Sequence, residues 1–304
     1  MSFGTPWLLL AALAALAALA TLLLVLRLVT GWVWSGLRHS PRLLRRLGEH
    51  SMSRAVWSWL SHRWPRTTGW LAARLETTRF PGLPLTLLIL LALYLASLGF
   101  GLLDDLAEGD DLIALDRQFN EALGVVRAEP ILHVLGWITA LGNTETLVAV
   151  TLVAIGFLWV HRRSSFIPGL LLSIIGSQLV TWAGKFLINR PRPDFLTFAE
   201  ASSPSFPSAH ATGAMAVYGF IAYALARDLQ RANRRFELAF WATVLIGLIA
   251  ASRLVLSVHY TSDVLAGLLV GGFWLLAGFT LTEWLRHHQG QTLPGQAVSL
   301  PNSD

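Results

Sequence analysis

Hydrophobic residues along this chain are gathered into long blocks, and the length of those blocks decides the fold class. Trp7 to Val29 is a nearly unbroken apolar run. At about 1.5 Å per helical residue it meets the roughly 30 Å hydrocarbon core of a bilayer. Further blocks cover 82–103, 143–160, 166–189, 208–226, 236–256 and 261–285. The pattern predicts seven transmembrane helices and an all-α, polytopic membrane protein. The stretch 131–141 is too short to cross alone and is predicted to be a re-entrant or interfacial lead-in. Composition agrees: 54% of the 304 residues are hydrophobic, 13% are charged and the mean hydropathy is +0.55, which excludes an ordinary soluble domain. Cysteine is absent, which rules out a disulfide framework and a thiolate ligand or nucleophile.

The net charge of +5 matters through its placement. Residues 31–80 carry nine arginines against Glu49 and Glu76, so the positive-inside rule puts this segment in the cytoplasm. The next connection, 104–130, holds eight acidic residues against two arginines and is predicted outside. Arg162 and Arg163, then Arg227, Arg231, Arg234 and Arg235, then Arg286, all fall inside. Strict alternation results, with the N-terminus out and the C-terminus in. Basic charge here sets topology and does not imply nucleic acid. The first span lacks a positive n-region and reads as a permanent anchor (residues 1–30) rather than a cleaved signal. Six tryptophans join the arginines of segment 31–81, a mixture suited to interfacial helices on an anionic leaflet. From His287 to Asp304 the chain is polar and is predicted to be a disordered cytoplasmic tail.

Ionisable groups at membrane depth are functional candidates by default, and here they share one face. Lys185, Arg190 and Arg192 close the span 166–189. His210 opens the next one, Arg253 lies near the outer end of 236–256, and His259 and Asp263 begin the last. Lys185 is the only lysine in the chain. A compact ammonium among guanidinium forks suits an oxyanion. Ser208 follows Pro207 as an expected N-cap, and a helix N-terminus favours phosphate. His259 and Asp263, four apart, would share a helix face. The carboxylate then fixes one imidazole tautomer and frees the other nitrogen to attack. Two histidines can divide nucleophilic attack and leaving-group protonation while cations stabilise the equatorial oxygens. The surrounding cations argue against a metal, so no metal or other cofactor is expected.

These residues resemble a known family. Lys185-Phe-Leu-Ile-Asn-Arg-Pro-Arg192-Pro193 is similar to the first signature of the type 2 phosphatidic acid phosphatase superfamily. Pro207-Ser208-Ala209-His210 resembles the second, and Ser252-Arg253 with His259 and Asp263 resembles the third. The resemblance implies a six-helix core over about 82–286 preceded by one additional span. It implies His259 as nucleophile, Asp263 as its orienting partner and His210 as general acid. Lys185, Arg192, Ser208 and Arg253 would bind phosphate, with Arg190 as a local support. Ala209 replaces the usual glycine, which is harmless if the position is ordinary helix. The expected activity is hydrolysis of a lipid phosphate or diphosphate at the outer face of a bacterial inner (cytoplasmic) membrane, toward the periplasm or cell exterior. Candidate substrates are phosphatidic acid, phosphatidylglycerophosphate, undecaprenyl diphosphate and the phosphates of lipid A. Phosphoryl transfer to another lipid and a non-enzymatic lipid carrier or scaffold are the alternatives. A relative of the soluble haloperoxidases is disfavoured by the spans. Between the first two signatures, Phe195, Phe198 and Phe206 are expected either at the pocket mouth or in the interface.

Overall fold

A computed structural model of the chain describes residues 21–35, 58–76, 80–193 and 203–291, which fall into two units divided between Leu71 and Ala72. In the first unit the apolar helix α1 (Thr21–Ser35) is the described end of the run beginning at Trp7. The short α2 (58–63) and the start of α3 (Pro65–Leu75) follow it. Residues 1–20 and 36–57, and with them most of the expected anchor and much of the Arg/Trp-rich segment, lie outside the described residues.

Among the described residues the second unit's helices run in the order α4 (Leu83–Glu108), α5 (Asp110–Ala122), α6 (Glu129–Ala140), α7 (Thr144–Val160), α8 (Ile167–Ile188), α9 (Ala209–Ala226), α10 (Ala232–Val255) and α11 (Thr261–Gln291). Five of these are long and apolar enough to cross a membrane: α4, α8, α9, α10 and α11. With 17 residues, α7 reaches only about 25 Å. It makes a sixth span only together with α6, from which it bends by 42°. The expected lead-in at 131–141 is helix α6, bent against α7 as in a broken span or a re-entrant pair. The described residues hold five of the seven expected spans, or six with the bent pair taken as one, and the first expected span lies mostly outside them.

Helix α11 packs most extensively against α8, α9 and α4. Small residues let backbones approach where lipid supplies no hydrophobic drive between helices. A Cβ on Gly169 of α8 would stand 2.5 Å from the Gly278 carbonyl of α11, and a Cβ on Gly278 equally close to Gly169. Ala211, Ala214, Ala216, Val217 and Phe220 of α9 are buried among α7, α8, α10 and α11. None of α4 is buried, so it forms the bundle's periphery.

One end of the bundle holds an ion-pair cluster. Arg163 pairs with Asp228, Glu283 accepts from Arg227 and Arg286, and the Tyr223 hydroxyl donates to it at 2.5 Å. The other end holds the candidate site. Two expectations need correction. Residues 287–291 continue α11 rather than starting a disordered tail; 292–304 lie outside the described residues. Phe206 is buried, 4% exposed, and neither lines the mouth nor anchors in the interface, while Phe195 and Phe198 lie outside the described residues.

Candidate active site

Local sequence explains how the first stretch leaves its helix. Helix α8 ends at Asn189, which adopts the left-handed conformation at φ 47° and donates its N–H to the Lys185 carbonyl. Asparagine tolerates that conformation, and Pro191 and Pro193 prevent further helix. Lys185 thus stays in the last helical turn while Arg190 and Arg192 turn back over the bundle end. Ser208 is the N-cap of α9, but its side chain makes no cap bond. Ala209 is the first residue of an ordinary helix with negative φ, so the departure from glycine imposes no backbone strain.

His259 and Asp263 do meet, though not as neighbours on a helix face. Helix α11 starts at Thr261, which leaves His259 in the turn before it. Asp263 Oδ2 accepts the Tyr260 N–H at 2.9 Å, folding that turn over the helix start, and His259 Nδ1 comes to 3.4 Å from the same oxygen. That separation is too long for a well-formed hydrogen bond, and Nδ1 makes no other among the described residues. Arg192 Nη1 lies 3.3 Å from His259 Nε2 and donates to the Val258 carbonyl at 2.6 Å. A guanidinium can only donate. Nε2 therefore carries the lone pair, and the ring proton sits on Nδ1, toward Asp263. A cation beside Nε2 suits an anion at that nitrogen.

Lys185 Nζ donates to Ser203 Oγ at 3.2 Å and to the Pro204 carbonyl at 2.5 Å, and Arg192 Nε donates to the Ser203 carbonyl at 2.8 Å. Arg253, 5% exposed, donates through Nη1 to Thr139 Oγ1 at 2.8 Å. Its Nε and the Ser208 hydroxyl are buried without partners among the described residues, leaving donors for an anion. His210 Nε2 lies 2.8 Å from Asn143 Oδ1. Lys185, Arg192, Ser203, His210, Arg253 and His259 line one cavity of about 670 Å³. All seven expected site residues thus lie at one end of the bundle.

Sequence reasoning missed what stands behind His259. Arg190, expected as a local support, is 8% exposed and spans two carboxylates, donating to Asp263 Oδ1 at 2.7 Å and to Asp116 Oδ2 at 2.8 Å. Asp116 belongs to α5, in the acidic connection, and is buried. Its Oδ1 accepts the Ser262 N–H at 3.0 Å, and its Oδ2 accepts the Ser262 hydroxyl. Asn120, one turn on, accepts from Ser257 at 3.2 Å and from Arg127, whose Nε donates to the Val255 carbonyl at 2.9 Å. Helix α5 thereby braces the whole turn that carries His259. The spacing of four between Asp116 and Asn120 is the signal that could have shown them on one face.

Burial opposes charge on Arg190, but Asp263 and Asp116 outweigh it and hold its pKa above the ordinary arginine value. Burial lowers His259 to about 4, only partly countered by Asp263. The folded imidazole is therefore neutral at neutral pH. The sign for stability follows from linkage. Between about pH 6.5 and 4 the unfolded chain binds a proton at this position that the folded chain refuses, so stability is lost as pH falls through that window. Histidine-labelled NMR of the detergent-solubilised protein, with His259→Asn to assign the resonance, should show His259 titrating near 4; a midpoint at or above 6.5 would contradict its burial.

Comparisons with known proteins give the chain its relatives. The model of the PAP2 superfamily matches residues 166–287. Phosphatidylglycerophosphatase B of Bacillus subtilis (strain 168) is 33% identical over 168 residues, covering 54% of this chain and 82% of that protein. The crystal structure of the transmembrane PAP2-type phosphatidylglycerolphosphate phosphatase from Bacillus subtilis has a TM-score of 0.55 to this chain. Its sequence is 28% identical, with 64% of this chain and 94% of that one covered. With a relative matched over most of its own length and the family model spanning all three signature stretches from α8 to α11, the chain belongs to the PAP2 superfamily.

Proposed function

We propose that this membrane phosphatase removes phosphate from a lipid at the extracytoplasmic face through a phosphohistidine on His259. One observation carries the reading: the cavity that holds the cations and both histidines continues as an apolar groove. Leu147, Val148, Leu152 and Ile155 of α7 line it, with Leu171 and Ile174 of α8. A phosphate at the cationic end leaves its hydrocarbon lying along the span, toward lipid. That shape fits a lipid phosphate better than a soluble ester.

In the first step His259 Nε2 attacks phosphorus, the bond to the lipid oxygen breaks, and His210 gives that oxygen a proton. Lys185, Arg192, Arg253 and Ser208 hold the three equatorial oxygens. In the second step water attacks phosphorus, His210 takes its proton back, the P–N bond breaks and inorganic phosphate leaves. Asp263 keeps the Nδ1 proton on His259 so that the reactive lone pair stays on Nε2. The relatives named above, both phosphatases of phosphatidylglycerophosphate by description, make that lipid the first substrate to try, and the charge pattern of the connections supports an outward-facing site.

The test is phosphate release from purified protein in detergent. The substrate panel is phosphatidylglycerophosphate, phosphatidic acid and a polyprenyl diphosphate. Release from at least one, inhibited by vanadate and unaffected by a chelator, is expected. Loss of activity on chelation, restored by a divalent ion, would contradict a cation-clamped, metal-independent site.

A further inference from the structure

The break between α6 and α7 belongs to none of the three signatures and lies ahead of the family match at 166–287, yet it touches both His210 and Arg253. Asn143 is the N-cap of α7. An asparagine there ordinarily turns its side-chain oxygen onto N–H groups of the first helical turn. This one makes no cap bond; its Oδ1 faces His210 Nε2 at 2.8 Å instead. The preceding residue is glycine for a visible reason. A Cβ on Gly142 would stand 3.0 Å from His210 Cδ2 and 2.7 Å from Ile249 Cγ2, so only glycine lets the turn come this close. Three residues earlier, Thr139 accepts from Arg253 at 2.8 Å. A local rule set aside in favour of a contact to a reactive group marks a functional position.

We propose that Asn143 is the positioning residue of the general acid, and that the α6–α7 break is a fourth element of the site. The inference rests on His210 acting as that acid. An amide oxygen only accepts, so the contact keeps a proton on Nε2 and leaves Nδ1 to work. As the P–O bond to the lipid breaks, the Nδ1 proton of the imidazolium passes to the leaving oxygen. As water later displaces the P–N bond on His259, Nδ1 takes a proton from that water. Nε2–H stays with Asn143 through both steps. The groups facing His210 are Arg253 from α10, Lys185 from α8, Arg192 from the segment after α8 and His259 from the turn before α11. Glu145 of α7 lines the same cavity. Against so many cations, an acceptor for the imidazolium is needed to hold the acid protonated and aimed.

The test compares Asn143→Ala, Asn143→Asp and His210→Ala on a lipid phosphate, whose alkoxide leaves poorly, and on p-nitrophenyl phosphate, whose phenolate leaves well. Acid–base catalysis contributes about 10²–10⁴-fold. Asn143→Ala should lose part of that, about 10- to 100-fold in kcat on the lipid with KM little changed, and under about 3-fold on the nitrophenyl ester. Asn143→Asp, nearly the same shape and a stronger acceptor, should recover most of the lipid activity and move the alkaline limb of kcat to higher pH. Equal losses on both substrates, or an alkaline limb that does not move with Asp, overturn the role of Asn143. If His210→Ala itself shows no dependence on the leaving group, the acid assignment fails first, and the two failures are told apart.

Discussion

Replacing His259 by alanine should lower turnover by at least about 10⁴-fold on every substrate, good leaving group or poor. In the proposed mechanism the imidazole bonds phosphorus. Its Nε2 lone pair points toward Arg192 at 3.3 Å, and its Nδ1 side is held against Asp263. The same variant should keep its fold, because its loss leaves Asp263 still paired with Arg190 and with the Tyr260 N–H. Phosphate release assays with a circular-dichroism control separate the two effects. Residual activity within about tenfold of the parent would remove His259 from the nucleophile's place.

Arg190→Gln should be the most damaging change outside the pocket. One guanidinium satisfies Asp263 and Asp116 together, with both carboxylates almost fully buried. Removing one partner of a buried pair leaves uncompensated charge and costs about 3–5 kcal/mol. Two carboxylates are left facing each other here, so the loss should reach the upper part of that range. Turnover should fall with it, since Asp263 would be free to rotate or protonate and the His259 tautomer would no longer be fixed. Thermal melting followed by tryptophan fluorescence, alongside turnover, checks both parts. Asp116→Asn should be milder, because the amide oxygen can still accept from Ser262 or Arg190. An unchanged melting midpoint in Arg190→Gln would show that the network is not what holds the nucleophile's turn.

The spans were legible because crossing a bilayer is a one-dimensional demand: enough apolar residues in a row, whatever their partners. The break at 141–143 was harder, since neither half is long enough alone and nothing local tells a bent pair from a span with a separate lead-in. Lys185, Arg192, His210, Arg253 and His259 were legible as charges at membrane depth on one face. Arg190 was legible there too, as a cation and a local support, but its pairing with Asp263 and Asp116 was not. Arg190 sits among other arginines, and Asp116 is one of eight acids in its connection; which of them turns inward depends on how α5 packs against the turn at 254–263. Asn143 was hidden by its ordinary setting, an asparagine before a helix. Only the side chain's choice of partner reveals it.

The central claim is a covalent bond between phosphorus and His259. Rapid mixing of purified protein with a radiolabelled lipid phosphate, an alkaline quench and peptide mass spectrometry would test it most directly. The expected result is one acid-labile, base-stable phosphoryl group on the peptide containing His259, formed faster than phosphate is released. Turnover without any phosphorylated peptide, or a label on a different residue, would contradict the account.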